Sequence, residues 1–121
     1  MGDVTEVVAE KPDRYFDVAT MALVLHEMPS EAREPVLREV TRVARRLLCL
    51  DYRVPMPKNL QGVRNRVAEA LAGVQHFRAF RDFTRCGGTS GVAMAAGLAC
   101  KNIRYPDKET FDISEITSKL Q

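Results

Sequence analysis

Residues Phe16 to Pro29 read FDVATMALVLHEMP, and the fold turns on how this stretch is read. Tyr15 to Val24 is a short, nearly continuous apolar run. That is the pattern of a strand buried on both faces of a parallel sheet. The run stops at His26-Glu27-Met28-Pro29, a polar exit. Pro29-Ser30-Glu31 then opens a helix, with Ser30 as N-cap and Glu31 and Glu34 in the first turn, where the helix dipole favours them. Val36, Leu37, Val40, Val43, Ala44 and Leu47 follow at helical spacing as one apolar stripe. Pro35 falls about one turn in, so the helix start is expected to be irregular. Leu47 to Tyr52 (LLCLDY) is a second short apolar run that closes on an acid. Strand, helix, strand over this span is a βαβ unit, which makes the two strands parallel with a right-handed crossover.

Beyond the unit, Arg53 to Leu60 is a loop carrying two prolines, and Val63 to Val74 has a helical stripe. Phe77, Phe80 and Phe83 continue at helical spacing until Gly87-Gly88 breaks the pattern. Ser90 to Leu98 reads as a small-residue helix ending at Gly97. Leu98 to Tyr105 and Thr110 to Ile116 are strand-like and are joined by the turn signal Pro106-Asp107-Lys108. Their connection is too short for a crossover, so they should form an antiparallel hairpin. The expected fold class is α/β with an antiparallel edge, in a single domain spanning 1–121.

Composition narrows the function. The net charge of +2 is too small to imply a polyanionic partner, but it is unevenly spread. Residues 1–32 hold two basic and seven acidic side chains, and residues 33–85 hold twelve basic and five acidic. Arg64, Arg66, Arg78, Arg81 and Arg85 lie among aromatics at helical period, which suggests packing and solvated faces rather than base stacking, so no nucleic-acid partner is expected. Cys49, Cys86 and Cys100 have no CxxC spacing, and an odd number leaves one thiol over in any disulfide scheme. Reduced thiols in a cytoplasmic protein are the simplest account, with Cys49 a buried small hydrophobe. No apolar run is long enough to span a bilayer, and the two histidines lack metal-ligand spacing.

Six segments taken together resemble the C-terminal half of a class I S-adenosylmethionine-dependent methyltransferase, nearest to the small-molecule branch of ubiquinone and menaquinone type. Gly2-Asp3-Val4-Thr5-Glu6 resembles the GDA-type segment after the third strand. Phe16-Asp17-Val18 with Met21 to Pro29 resembles the fourth strand and its exit loop. Leu37 to Val43 (LREVTRV) resembles the next helix, and Leu47 to Tyr52 the fifth strand. His76 to Gly88 and Ala95 to Leu98 resemble the later helices. The family's Gly-rich loop, its second-strand acid and the PGG turn before the fifth strand have no counterpart in the chain. The missing turn makes Val43-Ala44-Arg45-Arg46-Leu47 a tight helix-to-strand junction.

The resemblance implies a partial Rossmann-like methyltransferase sheet, with strands equivalent to 4-5-7-6, flanking helices and a C-terminal antiparallel hairpin. It implies S-adenosylmethionine as cofactor of the complete domain and a small-molecule substrate, with the chain inactive alone. It places Asp3 and Val4 by the adenine and Met21, Ala22, Leu23 and His26 along the cofactor. The cleft of such a sheet lies at the carboxyl ends of its strands, where strand order reverses. His26 there is a candidate acid or base near neutral pH, against the plainer reading of a loop histidine bonded to a backbone carbonyl. Asp51 and Tyr52 are the other catalytic candidates, against a plain role in bonding turn amides. A first strand lacking one neighbour is a pairing template. Tyr15 to Val24 is therefore expected to pair with another chain, either a second copy in a dimer or homo-oligomer or the missing N-terminal half. The competing function is a non-catalytic, self-associating or partner-completing module derived from the same fold.

Overall fold

The computed structural model describes residues 8–54, 73–103 and 111–119, and the backbone alone for 74–76. The expected helix from Val63, the adenine-side residues Asp3 and Val4, the Pro106 turn and the His76 side chain lie outside the described residues.

Strand β1 (Phe16–Ala22) is followed by a single 3-10 turn (Leu25–Glu27) and helix α1 (Ser30–Val43). Strand β2 (Ala44–Tyr52), helices α2 (Val74–Arg85) and α3 (Gly88–Ala95), and strands β3 (Leu98–Ile103) and β4 (Phe111–Ser118) complete the order. The sheet runs β1-β2-β4-β3. β1 and β2 are parallel, with Phe16 opposite Ala44 and Ala22 opposite Leu50. β4 is antiparallel to both β2 and β3. A parallel βαβ unit thus ends in an antiparallel edge, as the sequence pattern predicts.

The helix-to-strand junction is tighter than the apolar stripe suggests. Val43 is the last helical residue and Ala44 is already extended (φ −118°, ψ 139°), its N–H closing the helix on the Val40 carbonyl. The stripe assigned Ala44 and Leu47 to the helix. Both are buried in the strand instead, because helical and strand periods place an apolar residue inward at this point equally well. At the other end Pro29 occupies the N-cap and Ser30 is the first helical residue. Proline's fixed φ suits that entry without a side-chain cap. Pro35 is accommodated inside the helix.

Gly87 (φ 96°) and Gly88 (φ 69°) separate α2 from α3 in backbone conformations that side chains resist. Helix α3 therefore starts at Gly88 and stops at Ala95, each two residues earlier than the sequence suggests. Gly91 is required for a different reason: a Cβ there would overlap the Cys86 carbonyl oxygen.

The core lies on the sheet face that carries Leu47, Cys49 and Ile116. Leu37 and Val40 of α1, Phe83 of α2, and Val92 and Ala93 of α3 cover it. β1 departs from its sequence reading. Phe16 and Val18 are each 40% exposed, and no residue of the strand is fully buried. Its apolar run has the composition of a central strand, but among the described residues β1 has one neighbour and stands at the sheet edge.

Candidate functional site

The site is built where β1 and β2 end side by side. Leu23 still donates its N–H to the Leu50 carbonyl (2.8 Å), but it adopts φ 56°, a left-handed conformation costly for a branched side chain. The chain swings sharply out of the sheet there. The 3-10 turn that follows sends Leu25 and His26 into the interior and leaves Leu23 and Val24 exposed.

His26 meets Asp51 inside. The His26 Nδ1 to Asp51 Oδ1 distance is 2.8 Å, and both residues are at most 2% exposed. A carboxylate accepts, so Nδ1 carries the hydrogen, and when the ring is neutral Nε2 holds the lone pair. Asp51 takes two further bonds, from the Tyr52 backbone N–H to Oδ1 (2.8 Å) and from the His26 backbone N–H to Oδ2 (3.4 Å). The carboxylate therefore fixes the turn and the imidazole together. On the far side of the ring, Nε2 lies 3.8 Å from the half-exposed Glu27 carboxylate. Three aromatic rings stand beside the imidazole. Tyr52 stands edge-on at 4.7 Å between centroids, and Phe80 and Phe83 both lie at 6.3 Å.

His26, Asp51 and Tyr52, separated by 25 and 26 positions in sequence, are thus one cluster. His26 is bonded to the Asp51 carboxylate, a partner that neither reading of the sequence named. Asp51 does bond turn amides and orients the imidazole as well. Met21 is half-buried on the core side of β1, whereas Ala22 and Leu23 are exposed at its exit. Arg33 is the residue that sequence reasoning missed. Counted only as one of the twelve basic side chains of residues 33–85, it is 2% exposed. The signal was its position, three and four residues before Val36 and Leu37 on the same helical stripe. Its Nε–H donates to the Leu25 carbonyl (2.8 Å) and its Nη2–H to the Ala79 carbonyl (2.6 Å). Burial pushes its guanidinium below the ordinary value, opposed by the acidic groups Cys86, Asp82, Asp51 and Glu31.

Cys49 sits on the same strand two residues before Asp51 and is fully buried. Burial pushes its thiol up to about 12, the Asp51 charge adds to the rise, and a hydrogen bond with Thr89 partly opposes it. The folded chain keeps this proton where the unfolded chain releases it. The stability due to the neutral thiol is therefore complete below about pH 9 and declines as pH rises from there toward 12. Cys49→Ala should flatten that decline when urea midpoints are compared between about pH 8 and 10. An unchanged slope would rule out Cys49 as its source.

Among the described residues no helix is long and apolar enough to cross a membrane. No group of three or more His, Cys, Asp or Glu side chains converges as metal ligands among them either.

No protein-family model matches the chain, and no curated protein matches it. The architecture is nevertheless one already seen: a four-stranded mixed sheet with flanking helices. The chain is similar to OxaC in its crystal structure in complex with sinefungin and meleagrin, with a TM-score of 0.57 and 19% identity. That match covers 91% of this chain and 28% of OxaC. A second crystal structure of OxaC matches with a TM-score of 0.56 and 18% identity over the same shares. The likeness is one of fold.

Proposed function

We propose that residues 1–121 are the C-terminal portion of a small-molecule methyltransferase domain that uses S-adenosylmethionine, and that the complete domain is needed for activity. The observation that carries the reading is the His26–Asp51 pair, set at the carboxyl ends of two parallel strands, where such sheets place their ligands. The fold likeness to OxaC supports it, since sinefungin is an analogue of S-adenosylmethionine. In this reading Asp3 and Val4 approach the adenine, and Met21, Ala22, Leu23 and His26 line the path of the cofactor. Methyl transfer needs alignment of the acceptor with the sulfonium carbon and removal of the acceptor's proton. His26 Nε2 takes that proton, Asp51 holds the ring in the matching tautomer, and Tyr52 stands edge-on beside it.

Sinefungin titrated into the chain tests the cofactor assignment. Shifts of the Met21, Ala22, Leu23 and His26 amide resonances are expected, with those of β3 unmoved. The expected dissociation constant is about 1 mM, because one lip of a cleft supplies only part of the contacts. Resonances that stay in place at saturating ligand would remove these residues from the cofactor path.

The exposed apolar edge of β1 favours a second element of the reading. Tyr15, Phe16 and Val18 are each at least 40% exposed, and an apolar strand edge is a template for pairing. β1 pairs with a strand of another polypeptide, either a second copy or the remainder of the domain. Sedimentation of the chain at micromolar concentration should show a self-associated species that Val18→Lys disperses. A native chain that sediments only as monomer would exclude the second copy. If the chain associates but never binds cofactor, the better description is a non-catalytic self-associating module.

A further inference from the structure

We propose that Arg33 is a positioning residue for the His26–Asp51 pair: its buried guanidinium pins the carbonyl next to His26 and supplies the fixed positive charge that balances Asp51. The catalytic meaning of this rests on the reading of His26 as the base.

The geometry joins three elements through one side chain. Arg33 belongs to α1, the Leu25 carbonyl to the turn that carries His26, and the Ala79 carbonyl to α2. The guanidinium carbon also lies 5.6 Å from the centroid of Phe83, whose ring faces His26 from the same helix. Two neutral carbonyls and an aromatic face are modest compensation for a buried guanidinium, and an apolar residue would fill this place on the stripe at lower cost. What an apolar residue does not supply is charge. A buried Asp51 carboxylate needs positive charge nearby, and among the described residues Arg33, always cationic and within the reach of its field, and His26, cationic only when protonated, can supply it. With Arg33 in place the interior is balanced while His26 is neutral, the state a base requires.

Among the described residues the other charged and titratable groups around the pair include Glu27 on the turn, Cys49 and Tyr52 on β2, Glu31 on α1, and Asp82 and Cys86 near Arg33. Glu27 favours a protonated ring, but its side chain is 50% exposed, so solvent screens it. Arg33 is the buried opposing charge.

The test is an NMR titration of the His26 ring in the 121-residue chain. Arg33→Met keeps length and packing but removes the charge. Its His26 should bind a proton about tenfold more tightly than in the native chain. Arg33→Lys keeps the charge and should restore the native midpoint, while losing the two-carbonyl anchor and so speeding exchange of the His26 backbone amide. An Arg33→Met midpoint at or below the native one overturns the proposal. Should Arg33→Met fail to fold, Asp51→Asn provides a second reading. With Arg33 then unopposed, its His26 should titrate below an ordinary histidine, and an ordinary midpoint also overturns the proposal. Neither measurement requires methyl transfer. A shifted midpoint in a protein whose completed domain works without His26 would leave Arg33's role standing and remove the base.

Discussion

Replacing Asp51 with alanine should lower stability in urea unfolding by about 3–5 kcal/mol, among the largest losses any single side chain here can cause. The reason is what the carboxylate leaves behind. Its removal takes one acceptor from the His26 Nδ1–H and from the backbone N–H groups of His26 and Tyr52, in an interior where Asp51 is 1% exposed. A buried donor that loses its acceptor costs desolvation without return. The Arg33 charge also loses a buried counter-charge. Asp51→Asn is the informative comparison. Its amide oxygen can still accept from His26 Nδ1 and Tyr52, but its NH2 then faces the His26 N–H, donor against donor. A smaller loss of about 1–3 kcal/mol is expected, with a disturbed turn rather than an unfolded one. An Asp51→Ala chain that unfolds at the native urea midpoint would show that the carboxylate does not hold the turn.

Phe83→Ala should cost a similar amount, about 3–5 kcal/mol, for a different physical reason. Among the described residues Phe83 is the largest fully buried side chain, and it belongs to the core cluster under the sheet. Truncation leaves a cavity that α2 and α3 cannot fill, because Gly91 already holds α3 against the Cys86 carbonyl. The ring also forms the face over which Arg33 lies and one wall beside His26. The variant should therefore shift the His26 ring resonances as well as the urea midpoint. Phe83→Leu separates the two effects: it should recover most of the stability without recovering the ring contacts. If Phe83→Leu leaves the His26 resonances at their native positions, the aromatic face has no part in the site.

Much of this architecture is legible before any coordinates. Apolar runs at Tyr15–Val24 and Leu47–Tyr52 with a helical stripe between them specify a βαβ unit, because period and handedness leave little choice. Gly87-Gly88 announces a break between helices, and the short connection before Phe111 requires an antiparallel pair. Element boundaries are less legible. At Val43-Ala44 the helical and strand readings each bury the next apolar residues, and only the Val40–Ala44 closure decides between them.

The site divides along the same line. His26, Asp51 and Tyr52 can be picked out as polar residues at strand ends, since strand ends face the crevice in such sheets. That Asp51 grips the imidazole, rather than turn amides alone, depends on a 2.8 Å approach that no spacing encodes. Arg33 shows the limit most clearly. Its place on the apolar stripe was written in the sequence, but a charged side chain there reads equally as one reaching for solvent. Tertiary structure settled the matter by placing two carbonyls and a phenyl ring around the guanidinium. Local periodicity dictates which face of an element turns inward. Which buried charges meet there is fixed only when three separate elements are packed together, because electrostatic balance belongs to the assembled interior and not to any one segment.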